Sequence, residues 1–306
     1  HTQRRRQRQM CIRDRWVRVE LDVNWKFFCD NFNESYHTRF VHPQVPSVID
    51  QDHFTSRYEM FPKGHARIIQ MGRPSLRDRV NEDEDHPFKM ILESWGVDVN
   101  QYPDYETLSQ QGWTDLKKAK RKLYKEKGYH HYENLSDEEL TESPFQFIFP
   151  NIAMGVQADG CILLNWFPHP TDPEKCFFDL WDMGYPIGGS AKGIGKTGRE
   201  SDNEFTSTSA GIGKRDEDDV QEFVSRTKVN PVKLQEVELD HRDYDGGKGV
   251  EDLWDHVVYQ DWQLTDGLRR GVRSKGYQEP YLAAQETRVR YFHETLHDYL
   301  NGKSPK

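Results

Sequence analysis

The amino-acid sequence predicts an α+β fold built on an antiparallel sheet. Three observations carry that expectation. Short alternating or apolar runs recur along the chain with turn chemistry between them. Helical spacing is confined to a few separated stretches, two of which close the chain. A chain of 306 residues, 35% of them hydrophobic, can bury the core of one large domain or two small ones.

Residues 1–15 are an Arg/Gln run followed by Met10-Cys11-Ile12-Arg13-Asp14-Arg15, and are expected to be a non-native scar rather than a basic arm. Met10 to Asp14 can be written in codons as a transposon end used in sequencing libraries, so the native chain is expected to continue upstream. Residues 16–21 alternate and read as a strand leading into a helix over 25–36, with Phe28, Phe32 and Tyr36 on one face. Residues 54–60 and 66–71 read as strands joined by Pro62-Lys63-Gly64 turn chemistry, and the charged stretch 75–85 as loop. A helix is expected over 114–127, its Lys/Arg run forming a solvated face. Ser136 and Glu139 are spaced as a capping box opening a short helix.

Residues 145–149, 153–157 and 162–167 read as successive strands, the last two joined by the tight-turn dipeptide Asp159-Gly160, and 175–181 continues the antiparallel pattern. Composition then shifts to Gly, Ser, Thr and Lys over 187–219. Gly195-Lys196-Thr197 invites a phosphate-loop reading, but Ser190 stands where the first glycine belongs. The segment 187–231 is expected to be a flexible insertion or lid. Residues 232–239 alternate weakly as one more strand. A helix follows over 252–270 with Leu253, Val257, Leu264 and Leu268 as its stripe. The chain closes with a helix over 283–300, with Val289, Phe292, Leu296 and Leu300 inward.

Acidic residues number 51 against 42 basic ones, a formal net charge of -9. That balance argues against a general nucleic-acid or anionic-membrane surface. No apolar run is long enough to span a bilayer, and no apolar segment follows the N-terminus as in a signal peptide. Cys11, Cys29, Cys161 and Cys176 form neither a disulfide framework nor a Cys-x2-Cys metal site, so a reducing cytoplasm is expected.

Chemistry concentrates in the spacing Glu34-x2-His37-x4-His42. Neutral imidazole is the commonest protein ligand of transition metals. Glu34 and His37 are three apart and would neighbour each other on a helix. His42 lies five further on, off that face, so the two imidazoles converge only if the helix ends between them. Pro43 favours an extended His42. Two histidines beside an aromatic face are otherwise ordinary core or surface groups. His130-His131 is a poorer pair, because adjacent residues point apart on either regular structure. Within 252–270, Asp261 falls on the apolar stripe, whereas Asp255 lies off it with Tyr259 and Trp262. An unpaired buried carboxylate is costly; a salt bridge or protonation would satisfy it, and so would a metal. Two histidines and a carboxylate make the facial triad of non-haem iron(II) oxygenases.

These residues resemble the catalytic domain of the alpha subunit of Rieske-type aromatic-ring-hydroxylating oxygenases. That family carries Asn-Trp-Lys, an acidic residue with Asn-Phe, and carboxylate-x2-His-x4-His-Pro. They stand here as Asn24-Trp25-Lys26, Asp30-Asn31-Phe32 and Glu34 to Pro43. Phe149-Pro150-Asn151-Ile152-Ala153 resembles a family strand that lines the substrate cavity. Asp261, Asp266, Gly271 and Ser274-Lys275-Gly276-Tyr277 follow the family's downstream spacing, with Arg269 where Gln is common and Asp266 for the commoner Glu.

The resemblance covers residues 16–300 and implies a helix-grip (START-like) architecture, a long antiparallel sheet wrapped on a C-terminal helix. It implies Fe(II) held by His37, His42 and Asp261, Glu34 as an electron relay to His37, and Asn31 and Val257 against the substrate. It further implies O2-dependent hydroxylation of an aromatic or hydrophobic substrate. Electrons would come from NAD(P)H through a reductase or ferredoxin and a 2Fe-2S cluster. The assembly would be a homotrimer, with or without a beta subunit. A Rieske cluster needs two Cys and two His, which the family supplies as Cys-x-His and Cys-x2-His. No cysteine here stands in either pattern, so residues 16–306 are expected to be the catalytic iron domain with the N-terminal Rieske domain absent. Two other classes stay open: a Zn-dependent hydrolase using the same triad, and a non-catalytic helix-grip ligand-binding protein.

Overall fold

The computed structural model describes residues 12–43, 45–78, 86–184, 238–240, 253–278 and 281–304. Its strands are β1 (Ile12–Leu21), β2 (Arg57–Phe61), β3 (His65–Met71), β4 (Glu142–Ile148), β5 (Ile152–Gln157), β6 (Gly160–Pro168), β7 (Cys176–Gly184) and β8 (Glu238–Asp240). They form one sheet in the order β2-β3-β4-β5-β6-β7-β1-β8. From β2 to β7 each strand pairs antiparallel with the next, and β1 joins antiparallel beside β7. Only β8, the described end of the weak strand expected over 232–239, runs parallel to its neighbour β1. The segment 187–231, with the Gly195-Lys196-Thr197 tripeptide, lies outside the described residues. Strand β1 begins at Ile12 rather than at 16, because β7 runs on to Gly184 and offers Ile12 a partner.

Among the described residues the helices are α1 (Lys26–Phe32), α2 (Thr38–Val41), α3 (Pro87–Ser94), α4 (Tyr105–Leu123), α5 (Leu253–Val272) and α6 (Thr287–Leu300). Period-two alternation places one set of strand side chains on a common face. Register aligns Ala66, Phe147, Ala153, Leu164 and Leu180 across five strands, all of them buried. Trp166 and Val19 flank Phe178 in the next row. Three helices settle on this face through aromatic rings. Phe28 of α1 lies 5.0 Å from Phe178 and stacks on Trp166 at 6.1 Å. Trp262 of α5 meets Phe178 edge-on at 5.5 Å, and Phe292 of α6 meets Phe147 at 5.5 Å. The fold is therefore α+β of the helix-grip kind, as expected. Among the described residues no helix is long and apolar enough to cross a membrane.

The turn at Pro62-Lys63-Gly64 fixes the far end of the grip. Gly64 sits at φ +87°, and a Cβ there would come within 2.8 Å of the Phe149 and Thr295 side chains. Glycine thus lets the β2–β3 turn close onto α6, where Tyr291 accepts from Gly64 N at 3.2 Å and donates to Phe61 O at 2.7 Å. In α6, Val289 and Phe292 are buried and Leu296 packs against the core. Leu300 is 79% exposed, against expectation. Its neighbour Tyr299 makes the last contact instead, stacking on Phe149 at 5.2 Å.

Three further expectations are corrected. Helix α4 starts at Tyr105 rather than 114, because Asp104 caps it by accepting from Thr107 N at 2.7 Å. Its basic run is not wholly solvated. Lys120 is buried and donates to Leu140 O at 2.9 Å, with the Asp159 carboxylate 3.9 Å away. Burial pulls its pKa down and Asp159 opposes that. The Ser136–Glu139 capping box forms, with bonds of 2.8 and 3.2 Å, but encloses a turn and no helix before β4 starts.

Phe178 joins β7 to both α1 and α5. Phe178→Ala is expected to lower the unfolding free energy by about 3–5 kcal/mol, read by urea titration. A loss under about 1 kcal/mol would mean that these helices are held to the sheet by other contacts.

Candidate metal centre

The helix expected over 25–36 ends at Phe32. Asn33 leaves helical geometry (φ -94°, ψ 1°), and its side-chain Nδ2 donates back to Cys29 O at 2.8 Å. An amide that bonds the preceding turn competes with helix continuation. Tyr36, expected on one helix face with Phe28 and Phe32, lies beyond the helix and is exposed. Glu34 and His37 therefore meet across a turn and not along a helix. Glu34 Oε2 accepts from His37 N at 3.2 Å, and Glu34 Oε1 lies 2.5 Å from His37 Nδ1. The short helix α2 follows and His42 ends it at φ -123°, ψ 66°, outside the helical region as Pro43 requires. The break between the two histidines brings their rings to 5.2 Å at an interplanar angle of 81°.

Asp261 arrives from α5 and is 1% exposed. The buried stripe of α5 is Val257, Val258, Asp261, Trp262 and Thr265. It is turned from the expected stripe, since Leu268 is exposed and Trp262, expected off it, is buried. The contact of Trp262 with Phe178 accounts for the rotation, because an indole buries more area than the leucine it replaces. Asp261 belongs to both stripes. The side chains of Leu253, Asp255 and Tyr259 lie outside the described residues.

One Asp261 oxygen, Oδ1, stands 3.1 Å from His42 Nε2 and 3.7 Å from His37 Nε2. One ligand atom from each of the three residues lies within 4.8 Å of the others. Among the described residues no other group of three His, Cys, Asp or Glu converges in this way. His130-His131 does not, and His131 Nε2 is engaged by Ala158 O at 2.9 Å.

Both imidazoles are oriented from behind. His42 Nδ1 donates to Gln260 Oε1 at 2.8 Å, which leaves its Nε2 lone pair facing the centre. His37 Nδ1 is engaged by Glu34 in the same way. Burial works against the His37 imidazolium, but Glu34 and then Asp261 outweigh it and raise the His37 pKa. The surroundings thus call for positive charge at this point. His42 Nε2 and both Asp261 oxygens are buried without a hydrogen-bond partner. Three orphaned acceptors facing one another are costly unless a cation lies between them, so this donor set fits a metal ion.

Asn31 and Val257, expected against the substrate, are both buried, Val257 one turn before Asp261 and Asn31 with its Nδ2 unpartnered. Sequence reasoning missed Gln260. It precedes the carboxylate directly, and no spacing rule marks an amide there as a histidine partner.

The family model for the ring hydroxylating alpha subunit (catalytic domain) matches residues 10–186 and 215–302. Similar solved structures include a quaternary ammonium Rieske monooxygenase, at 12% identity and TM-score 0.45 over 94% of this chain and 50% of that one. Naphthalene 1,2-dioxygenase from Rhodococcus sp. follows at 15% identity and TM-score 0.41, over 94% and 56%. Dicamba monooxygenase gives 12% identity and TM-score 0.39, over 94% and 59%. The chain therefore spans between 50% and 59% of the length of these proteins. No curated protein matches it. Neither the hydrolase nor the plain ligand-binding reading is favoured by these findings. The family match extends over most of the sequence and includes the histidine segment and the Asp261 helix, so the chain belongs to the ring-hydroxylating alpha-subunit family and carries its catalytic domain.

Proposed function

We propose that this domain hydroxylates an aromatic or hydrophobic small molecule with O2 at a mononuclear Fe(II) centre held by His37, His42 and Asp261. The observation that carries the reading is the convergence of two imidazole Nε2 atoms on a buried carboxylate that has no other partner. Bound there, ferrous iron supplies the electron and oxygen chemistry that side chains lack. Three protein donors leave further coordination positions open. Asp261 contributes the negative charge. His42 and His37 contribute neutral donors whose orientation Gln260 and Glu34 maintain through Nδ1.

Glu34 is the path by which electrons reach the site. It touches His37 at two atoms, and its carboxylate accepts imidazole N–H. In the working assembly it would connect His37 to a histidine of a 2Fe-2S Rieske cluster, reduced by NAD(P)H through a reductase or ferredoxin. A trimer, with or without a beta subunit, supplies that cluster from a neighbour. Asn31 and Val257 border the substrate, and the insertion within the domain falls at 187–214, the stretch the family model passes over.

Anaerobic titration of the chain should find one Fe(II) per molecule. His37→Ala, His42→Ala and Asp261→Ala should each abolish it, while Asp255→Ala retains it. Iron bound by the histidine variants at wild-type affinity would sink the assignment. Gln260→Ala frees the His42 ring and should weaken iron binding about ten- to a hundredfold without removing the site. Glu34→Gln keeps the size and one acceptor oxygen. Joined to a Rieske donor, it should retain iron but lose most turnover. Loss of iron as complete as in His37→Ala would make Glu34 a ligand, and unchanged turnover at full occupancy would remove it from the path.

A further inference from the structure

Helix α6 carries a buried cation, Arg288, that is not among the donors of the metal centre. Arg288 lies in its first turn and is 1% exposed, among the largest fully buried side chains of the protein. Its Nη2 donates to Phe32 O at 3.3 Å, where α1 ends, while Nε and Nη1 have no hydrogen-bond partner. Burial pushes its pKa down to about 10, against the pull of Tyr58 and Glu34. A guanidinium out of water is tolerated only where an opposite charge compensates it.

Glu34, two residues beyond Phe32, is the carboxylate whose charge reaches Arg288; it is buried too and commits both oxygens to His37. The turn that carries Glu34 is also tied to its surroundings at two more points. Tyr36 donates to Glu286 Oε1, just before α6, at 3.1 Å, and Ser35 Oγ meets the Tyr58 hydroxyl of β2 at 3.3 Å. Residues 33–36 are thus clamped between α1, β2 and α6, with Arg288 as the buried positive charge of the clamp.

We propose that Arg288 is a positioning residue of the metal centre: its charge balances Glu34 across the 33–36 turn, and its bond to Phe32 O pins the end of α1, so that the Glu34 carboxylate stays on the His37 ring. The inference rests on the reading of His37 and Glu34 given above. Arg288 acts through Glu34. The contact between α6 and the metal segment is then electrostatic as well as apolar, and the C-terminal helix sets the aim of an N-terminal histidine.

The test uses the 306-residue chain, metal-free and labelled with nitrogen-15 histidine. Arg288→Met and Arg288→Lys are made alone and together with Glu34→Gln. Ring-nitrogen signals of His37, identified by their loss in His37→Ala, are read beside urea unfolding. Arg288→Met should shift the His37 signals, and Arg288→Lys, which keeps a cation, should return them toward wild type. The unfolding equilibrium should suffer about tenfold more from Arg288→Met with Glu34 present than with Gln there, because the uncompensated carboxylate is then gone. Should Arg288→Met fail to fold alone, recovery of folding by Glu34→Gln supports the same coupling. Unmoved His37 signals, an equal penalty in both backgrounds, or a double variant that folds no better than the single one overturns it. Neither readout needs a metal. A wild-type chain that binds no Fe(II) would therefore sink the metal reading and leave the Arg288–Glu34 coupling to be judged separately.

Discussion

The buried carboxylate of Asp261 sets the terms for the rest of the site. Its two oxygens are shut away from water, and no N–H or O–H reaches either of them. Around it stand two imidazoles whose outer nitrogens are taken up by Glu34 and Gln260, so the inner nitrogens add lone pairs and not protons. Such an arrangement holds together around positive charge and pushes itself apart without it. The raised pKa of His37 expresses the same demand in a different currency of charge, a proton in place of an ion.

Much of this was legible in the sequence, and the reasons differ by residue. His37 and His42 are close along the chain, and Pro43 favours an extended backbone at His42 by local sterics, so spacing made their convergence possible and the resemblance singled them out as ligands. Asp261 was legible because a charged residue on an apolar stripe is conspicuous, and it stayed inside although α5 is rotated from the expected stripe. The rotation was not legible. It depends on Trp262 finding Phe178 across the core, a contact between residues far apart in sequence. The end of α1 was missed for the opposite reason, a bond as local as Asn33 to Cys29, which apolar periodicity does not register.

The sheet was read well where strands succeed one another and poorly at its margins. Turn residues and alternation marked β2 to β7 because each pairs with its sequence neighbour. The start of β1 follows from the length of β7, and only pairing reveals it. Lys120 shows the same limit in a helix. A lysine within a basic run looks solvated until Leu140 and Asp159 turn out to lie beneath it.

The strand order has a kinetic side. In the β2–β7 meander the β2–β3 pairing and those from β4 to β7 join near neighbours and close with little loop entropy, while β3 meets β4 across residues 72–141. Strand β1, with the histidine segment behind it, and helix α5, with Asp261, come from opposite ends of the described chain and must both close over that meander. His37 and His42 can approach each other as soon as their short turn forms. The carboxylate joins them only after a closure that brings Gln260, its neighbour in sequence, onto His42 from 218 residues away. The complete donor set is therefore a late product of folding, and a chain caught before α5 docks presents two histidines without the anion that gives the site its charge.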